Sequence, residues 1–429
     1  MTINTPTDAE TVFTYGAPRL KFGSGAAAEI GYDLSLTGAK RVLIVTDQRI
    51  AATGLPRRVA EQMLPYRIEA EIYDGTHIEP TDKSLRAAVE FARDAGPFDA
   101  IVAVGGGSSI DTAKAINLLT TNPGDLTDYL NAPIGAGKAP THQLKPMIAV
   151  PTTTGTGSES TTVCVLDVLD QHVKTGISHP ALRPTLAVID PDLTLTQPAG
   201  VTAAAGMDIL CHALESYTAR PYNAVGRKEP HERVPYCGSN PIADMWSEKA
   251  LSLLSTSFRR AVRDGSDSTA RAEMALAATF AGMGFGNAGV HIPHANAYPI
   301  AGQVRDFHPK DYPDEEPMVP HGMSVVLTAP EAFRFTFESS PDRHVRAAQL
   351  LDPTAEVPPD AANFLPSLLM KLMRDVEIPN GIGAVGFTEN DIDDLVEGSL
   401  KQQRLLAIAP RPVDDDALAG IFRGSLELW

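Results

Sequence analysis

Up to about residue 199 the chain alternates two periodicities of apolar and polar positions. Short, nearly uninterrupted apolar runs occur at 41–47 (RVLIVTD), 98–107 (FDAIVAVGGG), 144–153 (LKPMIAVPTT) and 182–191 (LRPTLAVIDP). Runs of that length and uniformity are typical of strands buried on both faces. Between them, 55–64 (LPRRVAEQML) and 82–96 (DKSLRAAVEFARDAG) place apolar residues at helical spacing, and 67–75 (RIEAEIYDG) alternates like a strand. Strands alternating with crossover helices predict a parallel sheet. Past residue 199 the spacing turns helical, in AGVTAAAGMDILCHALESYTA, MWSEKALSLLSTSFRRAVRDG and STARAEMALAATFAGMGFG, the last two closed by glycine. Two Pro-rich stretches, 221–241 and 303–320, interrupt it, and loops that long inside a compact domain are usually functional or disordered. The pattern predicts an α/β domain over 1–199 and a helical domain over 200–429 with a cleft between them.

A length of 429 residues fits that division, being too much for one core. The net charge of -17 argues against nucleic acid or an anionic membrane surface as a partner. No apolar run approaches the roughly 20 residues that span a bilayer. Cys164, Cys211 and Cys237 form no CxxC and are too scattered for a disulfide framework, which points to a reducing compartment. The start, MTINTPTDAETVFTYG, shows neither an apolar signal core nor Arg-rich transit character, so a cytoplasmic setting is expected.

Candidate chemistry sits in three places. Gly105, Gly106 and Gly107 follow a buried strand and precede a helix. Glycines there allow close backbone approach and positive φ. Ser108 or Ser109 could cap the helix, whose N-terminus attracts phosphate. The run is neither a Walker loop nor a GxGxxG, and a tight turn that binds nothing is the alternative. PTTTGTGSES (151–160) has six hydroxyl residues in ten, and either lines the same nucleotide or is a solvated loop. Asp47 ends its strand where an acid can accept from a ribose diol and repel a 2′-phosphate, or it is a surface acid.

The third place is GMDILCHALE, where Asp208 and His212 are four residues apart and share a helix face. Two polar groups on an apolar face must be satisfied, by a metal ion or by each other. His291, His294 and His321 follow in apolar, glycine-flanked settings. An acid with several imidazoles suits Fe²⁺ or Zn²⁺ better than Mg²⁺ or Ca²⁺. The late histidines have no fixed spacing, so satisfied core histidines are the other reading.

GGGSSIDTAK, PTTTGTGSE, LRPTLAVIDPDLTLTQPA, GMDILCHALESY and PHG together resemble the iron-dependent (group III) alcohol dehydrogenase family from about residue 12 onward. Within it, GFGNAGVHIPHANAYPI, YCGSNPIADMW, the KDY before VPHGMSVVLTAP, and QQRLLAIAPRP are similar to hydroxyacid–oxoacid transhydrogenases. The resemblance implies a Rossmann-type, dehydroquinate synthase-like domain followed by an all-α metal domain. It implies Asp208, His212, His294 and His321 as ligands of Fe²⁺, with Zn²⁺ the alternative. NAD would contact Asp47, Gly105, Gly106, Gly107, Ser108, Ser109, Asp111, Thr152, Thr153 and Lys174, with Asp47 favouring NAD over NADP. Simple members carry a second histidine where this chain has Tyr298, which leaves His291 and Tyr298 as proton-relay candidates.

The implied reaction moves hydride from 4-hydroxybutyrate to 2-oxoglutarate through NAD. The alternatives are an ordinary NAD(P)-dependent alcohol dehydrogenase that releases its nucleotide each turnover, and a dehydroquinate synthase-like cyclase. The cyclase expects a strongly basic site, and GMDILCHALESY has no Lys or Arg. Arg227, Lys228, Arg233, Arg305 and Lys310 are candidate anchors for a substrate carboxylate, or plain loop charges. The expected partners are a small-molecule substrate and a second copy of the chain, in a homodimer.

Overall fold

The computed structural model describes residues 9–429 apart from 172, 234 and 313–315. It forms two compact units, Ala17–Gln197, and Pro198–Trp429 together with the described residues up to Gly16. The first domain was expected to begin at residue 1. Instead the leading segment joins the helical unit, where the Glu10 N–H donates to Val225 O at 2.9 Å and its carboxylate meets Arg233 at 3.1 Å.

The first unit is built on strands β1 (Arg19–Phe22), β2 (Arg41–Val45), β3 (Glu69–Tyr73), β4 (Ala100–Gly105), β5 (Met147–Pro151) and β8 (Leu186–Ile189). They pair in the order β1-β8-β5-β4-β2-β3, all parallel. Alternate residues of one strand feed two separate cores. Leu43, Val45, Ile101 and Ala103 belong to one core, and Val42, Ile44, Val102 and Val104 to the other. That is why these strands read as unbroken apolar runs. Helix α1 (Gln48–Ala52) follows β2. Helix α2 (Asp82–Ala95) opens with a capping box between Thr81 and Ser84. Helix α3 (Gly107–Thr121) is buried from Ser109 through Leu119.

From β2 the chain steps outward to β3, then returns to place β4 on β2's other side. The strand order therefore reverses between β2 and β4, the point outside whose carboxyl ends open α/β sheets bind ligands. Two features had no counterpart in the sequence pattern: the edge strand β1, and the antiparallel hairpin β6 (Val163–Val168) with β7 (Val173–Ser178). β1 has four residues and is mostly exposed, and the hairpin's connection lacks the Asn-Gly type of turn signal.

The second unit is helical. Its core elements are α4 (Ala199–Thr218), α5 (Pro241–Arg263), α6 (Ser268–Ala288), α7 (Ile292–Gly302) and α8 (His321–Val326). Burial of α4 on all sides from Gly206 to Thr218 explains its near-continuous apolar character. Among its polar residues Asp208, His212 and Glu215 fall on one stripe. No helix among the described residues is long and apolar enough to cross a membrane.

Candidate nucleotide and metal sites

The glycine turn lies at the switch point, between the ends of β4 and α3. Asp47 caps α1, its Oδ1 accepting the Arg49 and Ile50 N–H groups at 2.9 and 3.0 Å. Its other oxygen faces the turn, 3.7 Å from where a Gly105 Cβ would stand. None of Gly105, Gly106 and Gly107 has the positive φ allowed for above. Crowding is what requires them. Added Cβ atoms would stand 2.3 Å from Ser109 Oγ, 3.1 Å from Thr153 Oγ1 and 2.8 Å from Thr156 Cγ2, respectively. Nor does Ser108 or Ser109 cap α3. Gly106 is the N-cap, with no side-chain cap, and Ser108 Oγ instead accepts the Glu79 N–H at 3.2 Å. The helix begins early enough to put both serines in its first turn, so no side chain satisfies the leading amides.

Around this turn the hydroxyls of Thr46, Ser109, Thr152 and Thr154 are buried without hydrogen-bond partners. Unsatisfied buried groups are costly, and a phosphate-bearing nucleotide on the turn fits both them and the uncapped amides. Gly105→Ala is expected to raise the dissociation constant for NADH about 10-fold or more, because the new methyl forces Ser109 away. A fluorescence titration reads this, and unchanged affinity would exclude the turn from nucleotide binding.

Asp111 and Lys174 are already engaged. Asp111 Oδ1 accepts from Ser158 Oγ at 2.6 Å and from Lys114 Nζ at 3.2 Å, and its Oδ2 accepts the Val165 N–H at 2.9 Å. It thereby ties the hydroxyl loop and β6 to α3. Lys174, on β7, pairs with Glu79 and with Asp167 at 3.4 Å. Burial pushes the Asp167 carboxyl up despite that lysine.

In the helical unit Asp208 and His212 leave α4, His294 lies on α7 and His321 opens α8. One donor atom from each lies within 4.8 Å of all the others. Asp208 Oδ1 stands 3.6, 3.5 and 3.8 Å from the Nε2 atoms of His212, His294 and His321. These separations exceed hydrogen-bond lengths, about 2.7–3.2 Å. Two ligands of a tetrahedral centre, each about 2.1 Å from it, stand about 3.4 Å apart. Asp208 Oδ1 and His294 Nε2 are moreover buried with no hydrogen-bond partner. The donor set fits a divalent metal, and the hydrogen-bonded pair considered for Asp208 and His212 does not form.

For Asp208 and His212 the electrostatics suit ligands. Burial opposes protonation of His294, but the carboxylates of Glu215 and Asp208 push it up to about 9, and a bound cation would displace that proton from the ring. Burial opposes ionisation of Asp208, but the surrounding imidazoles of His212, His321 and His294 hold its carboxyl below the usual range. Burial pushes His212 down to about 3, keeping it neutral as a ligand must be. The His212 ring is clamped between Phe285, at 3.9 Å, and His294, at 4.6 Å. Gly322 lets α8 close on α4, since a Cβ there would stand 2.1 Å from Ala204 O.

Glu215 was overlooked in the sequence. It is buried, accepts the His291 and His294 N–H groups at 2.8 and 3.2 Å, and bonds the His294 ring through Nδ1. Its signal was available: it lies three residues after His212, on the same face of α4. His291 is not in the four-residue cluster. Its Nε2 meets Thr218 Oγ1 at 3.1 Å, and burial pushes the ring's pKa down to about 4. Tyr298 lies one turn beyond His294, half-buried against the helical core. Of the anchor candidates, Arg233 faces Glu10, Arg305 faces Asp391 at 2.9 Å and Lys310 faces Glu377 at 3.8 Å. Arg227 is exposed, and Lys228 gives its backbone N–H to Glu10.

A parallel sheet with a phosphate-type turn and a buried Asp–His₃ cluster define a metal-dependent oxidoreductase of the nucleotide-using kind. The chain matches the family model for iron-containing alcohol dehydrogenase over residues 17–191 and the model for that family's C-terminal part over 232–426. It belongs to the iron-containing alcohol dehydrogenase family. It is 45% identical over 426 residues to the mitochondrial hydroxyacid-oxoacid transhydrogenase of Xenopus tropicalis, covering 98% of this chain and 92% of that protein. The Bos taurus protein of the same name is 45% identical, with 97% and 90% covered. Among solved structures, a 1,3-propanediol oxidoreductase superposes with a TM-score of 0.84 at 30% identity, covering 97% of this chain and 100% of that one. Sulfoacetaldehyde reductase from Bifidobacterium kashiwanohense, in complex with NAD⁺, does so at 0.80 and 25% identity, covering 96% and 98%.

The relatives correct one expectation. The frog, cattle and human proteins are all named as mitochondrial, which overturns the cytoplasmic setting. Cysteine usage and bulk charge report redox environment and partners, and they do not separate one reducing compartment from another.

Proposed function

We propose that the protein is a hydroxyacid–oxoacid transhydrogenase, moving hydride from 4-hydroxybutyrate to 2-oxoglutarate through NAD and a divalent metal, Fe²⁺ or in its place Zn²⁺. The buried cluster with its unpartnered Asp208 and His294 atoms carries the oxidoreductase reading. The substrate class rests on relatives 44–45% identical over nearly the whole chain that bear that name.

Asp208, His212, His294 and His321 would hold the metal, and the Gly105–Ser109 turn with Thr152 and Thr153 would hold the dinucleotide phosphates. When bound, the metal would supply Lewis acidity toward a hydroxyl or carbonyl oxygen, and the nicotinamide would supply reversible hydride transfer. The Asp47 oxygen that faces the turn would accept from the adenosine ribose and disfavour a 2′-phosphate. Asp111 and Lys174 would act by bracing the loops beside the nucleotide. Tyr298, half-buried one turn beyond His294, would relay the hydroxyl proton, with the fully buried His291 as the alternative.

A homodimer through the open edge of β1 is part of this reading. Leu20 and Phe22 are 38% and 39% exposed there, on a strand that among the described residues pairs only with β8, and such edges invite a partner strand. Light scattering tests it: a wild-type monomer would exclude the dimer.

The decisive assay incubates Fe²⁺-reconstituted protein with 4-hydroxybutyrate and 2-oxoglutarate and no added nucleotide. Succinate semialdehyde and 2-hydroxyglutarate should appear in equal amounts. NADH formation from an alcohol only when NAD is supplied, with no product before, would make it a conventional dehydrogenase.

A further inference from the structure

We infer that Glu215 is a positioning residue of the metal site, holding His294 in its Nδ1–H tautomer and supplying the site's second buried negative charge. This rests on the reading that Asp208, His212, His294 and His321 hold a divalent metal. Glu215 is fully buried. Its Oε1 accepts the backbone N–H groups of His291 and His294, at 2.8 and 3.2 Å, across the start of α7. Its Oε2 faces the His294 Nδ1. A helix cap would account for the first oxygen and leave the second unexplained.

A carboxylate only accepts hydrogen bonds, so the imidazole nitrogen facing it must carry the proton. Nδ1–H on that side leaves Nε2 with a bare lone pair, and Nε2 is the atom that lies 3.5 Å from Asp208 Oδ1 without a hydrogen-bond partner. Carboxylate–histidine pairs of this kind fix the ring's orientation and raise its basicity toward a metal. Charge gives a second argument. Among the described residues the basic groups near Asp208 and Glu215 are all imidazoles, with no Lys or Arg within ion-pair distance. Two buried carboxylates with neutral imidazoles carry two negative charges, which one divalent cation balances. Without Glu215 the site would keep a net positive charge in an apolar interior, which is costly.

Glu215→Gln keeps the shape and the acceptor for both backbone amides but puts an NH₂ donor against Nδ1. The proton must then move to Nε2, the nitrogen that faces the metal. Co²⁺ titration of the full-length protein should show affinity about 10- to 100-fold weaker than wild type, with an altered visible spectrum and unchanged NADH affinity. Wild-type Co²⁺ affinity and spectrum in the variant would reduce Glu215 to a helix cap. If the wild type itself binds no Co²⁺, the metal reading falls and this inference with it. Should the variant fail to fold, ¹⁵N NMR of the Zn²⁺-loaded wild type decides. The proton is expected on His294 Nδ1, and its absence from that nitrogen overturns the assignment.

Discussion

Asp208→Asn is expected to lower kcat/KM by at least about 10³-fold and to leave the protein without stoichiometric metal. One electrostatic partner at a developing charge is worth about 10² to 10³ in rate, and here the metal is lost with it. The Asp208 carboxylate is the atom group around which the cluster is arranged, with three imidazole nitrogens at 3.5–3.8 Å from one oxygen. An amide in that position removes the charge that draws a cation into the interior and offers a much weaker ligand. The fold should survive, because the apolar neighbours Met207, Ile209 and Leu210 are untouched and the uncharged side chain is cheaper to bury. Elemental analysis, circular dichroism and the two-substrate assay together make the check. A folded variant that keeps its metal and its activity would sink the metal-site assignment.

The second large effect comes from a residue with no side chain. Gly322→Val is expected to destabilise the protein by about 3 kcal/mol, at the upper end of what overpacking costs, and to weaken Co²⁺ binding as well. The new Cβ would stand 2.1 Å from Ala204 O and 2.7 Å from Asp208 Cβ. A backbone carbonyl in the middle of α4 cannot turn aside as a side chain can. α8 must therefore move off α4, and it carries His321 with it. Gly302→Ala is the control, since nothing lies within 4 Å of its added Cβ. That variant should be neutral or slightly stabilising, through lost unfolded-state entropy. Thermal denaturation and Co²⁺ titration separate the two. A Gly322→Val protein with wild-type midpoint and affinity would show that the helices can part freely.

Much of the site was readable before any coordinates. Asp208 and His212 are neighbours by helical geometry alone, and the histidines at 294 and 321 were visible by their apolar setting. Periodicity could not show that α7 and α8 bring those two histidines to Asp208 and His212, more than eighty residues away. The candidate anchors kept loop charge as their alternative, and the fold pairs Arg233 with Glu10 and Arg305 with Asp391, while Lys310 stays largely exposed, 3.8 Å from an exposed Glu377. Glu215 lies on the same stripe, but an acid between Leu214 and Ser216 names no partner until the fold sets His294 against it.

Sequence alone determined the parallel sheet, the helical second half, the glycine turn and the Asp–His pair. All of these are local, resting on the two-residue and 3.6-residue periods and on residue chemistry within one element. Tertiary structure decided the rest. It reversed the strand order at the glycine turn, made crowding and not φ the reason for the glycines, and moved the leading segment to the helical unit. It also closed four donors on one point and set Glu215 behind His294. Each of these depends on contacts between residues far apart in the chain, and a local pattern of polar and apolar positions carries no record of which distant surface will cover it.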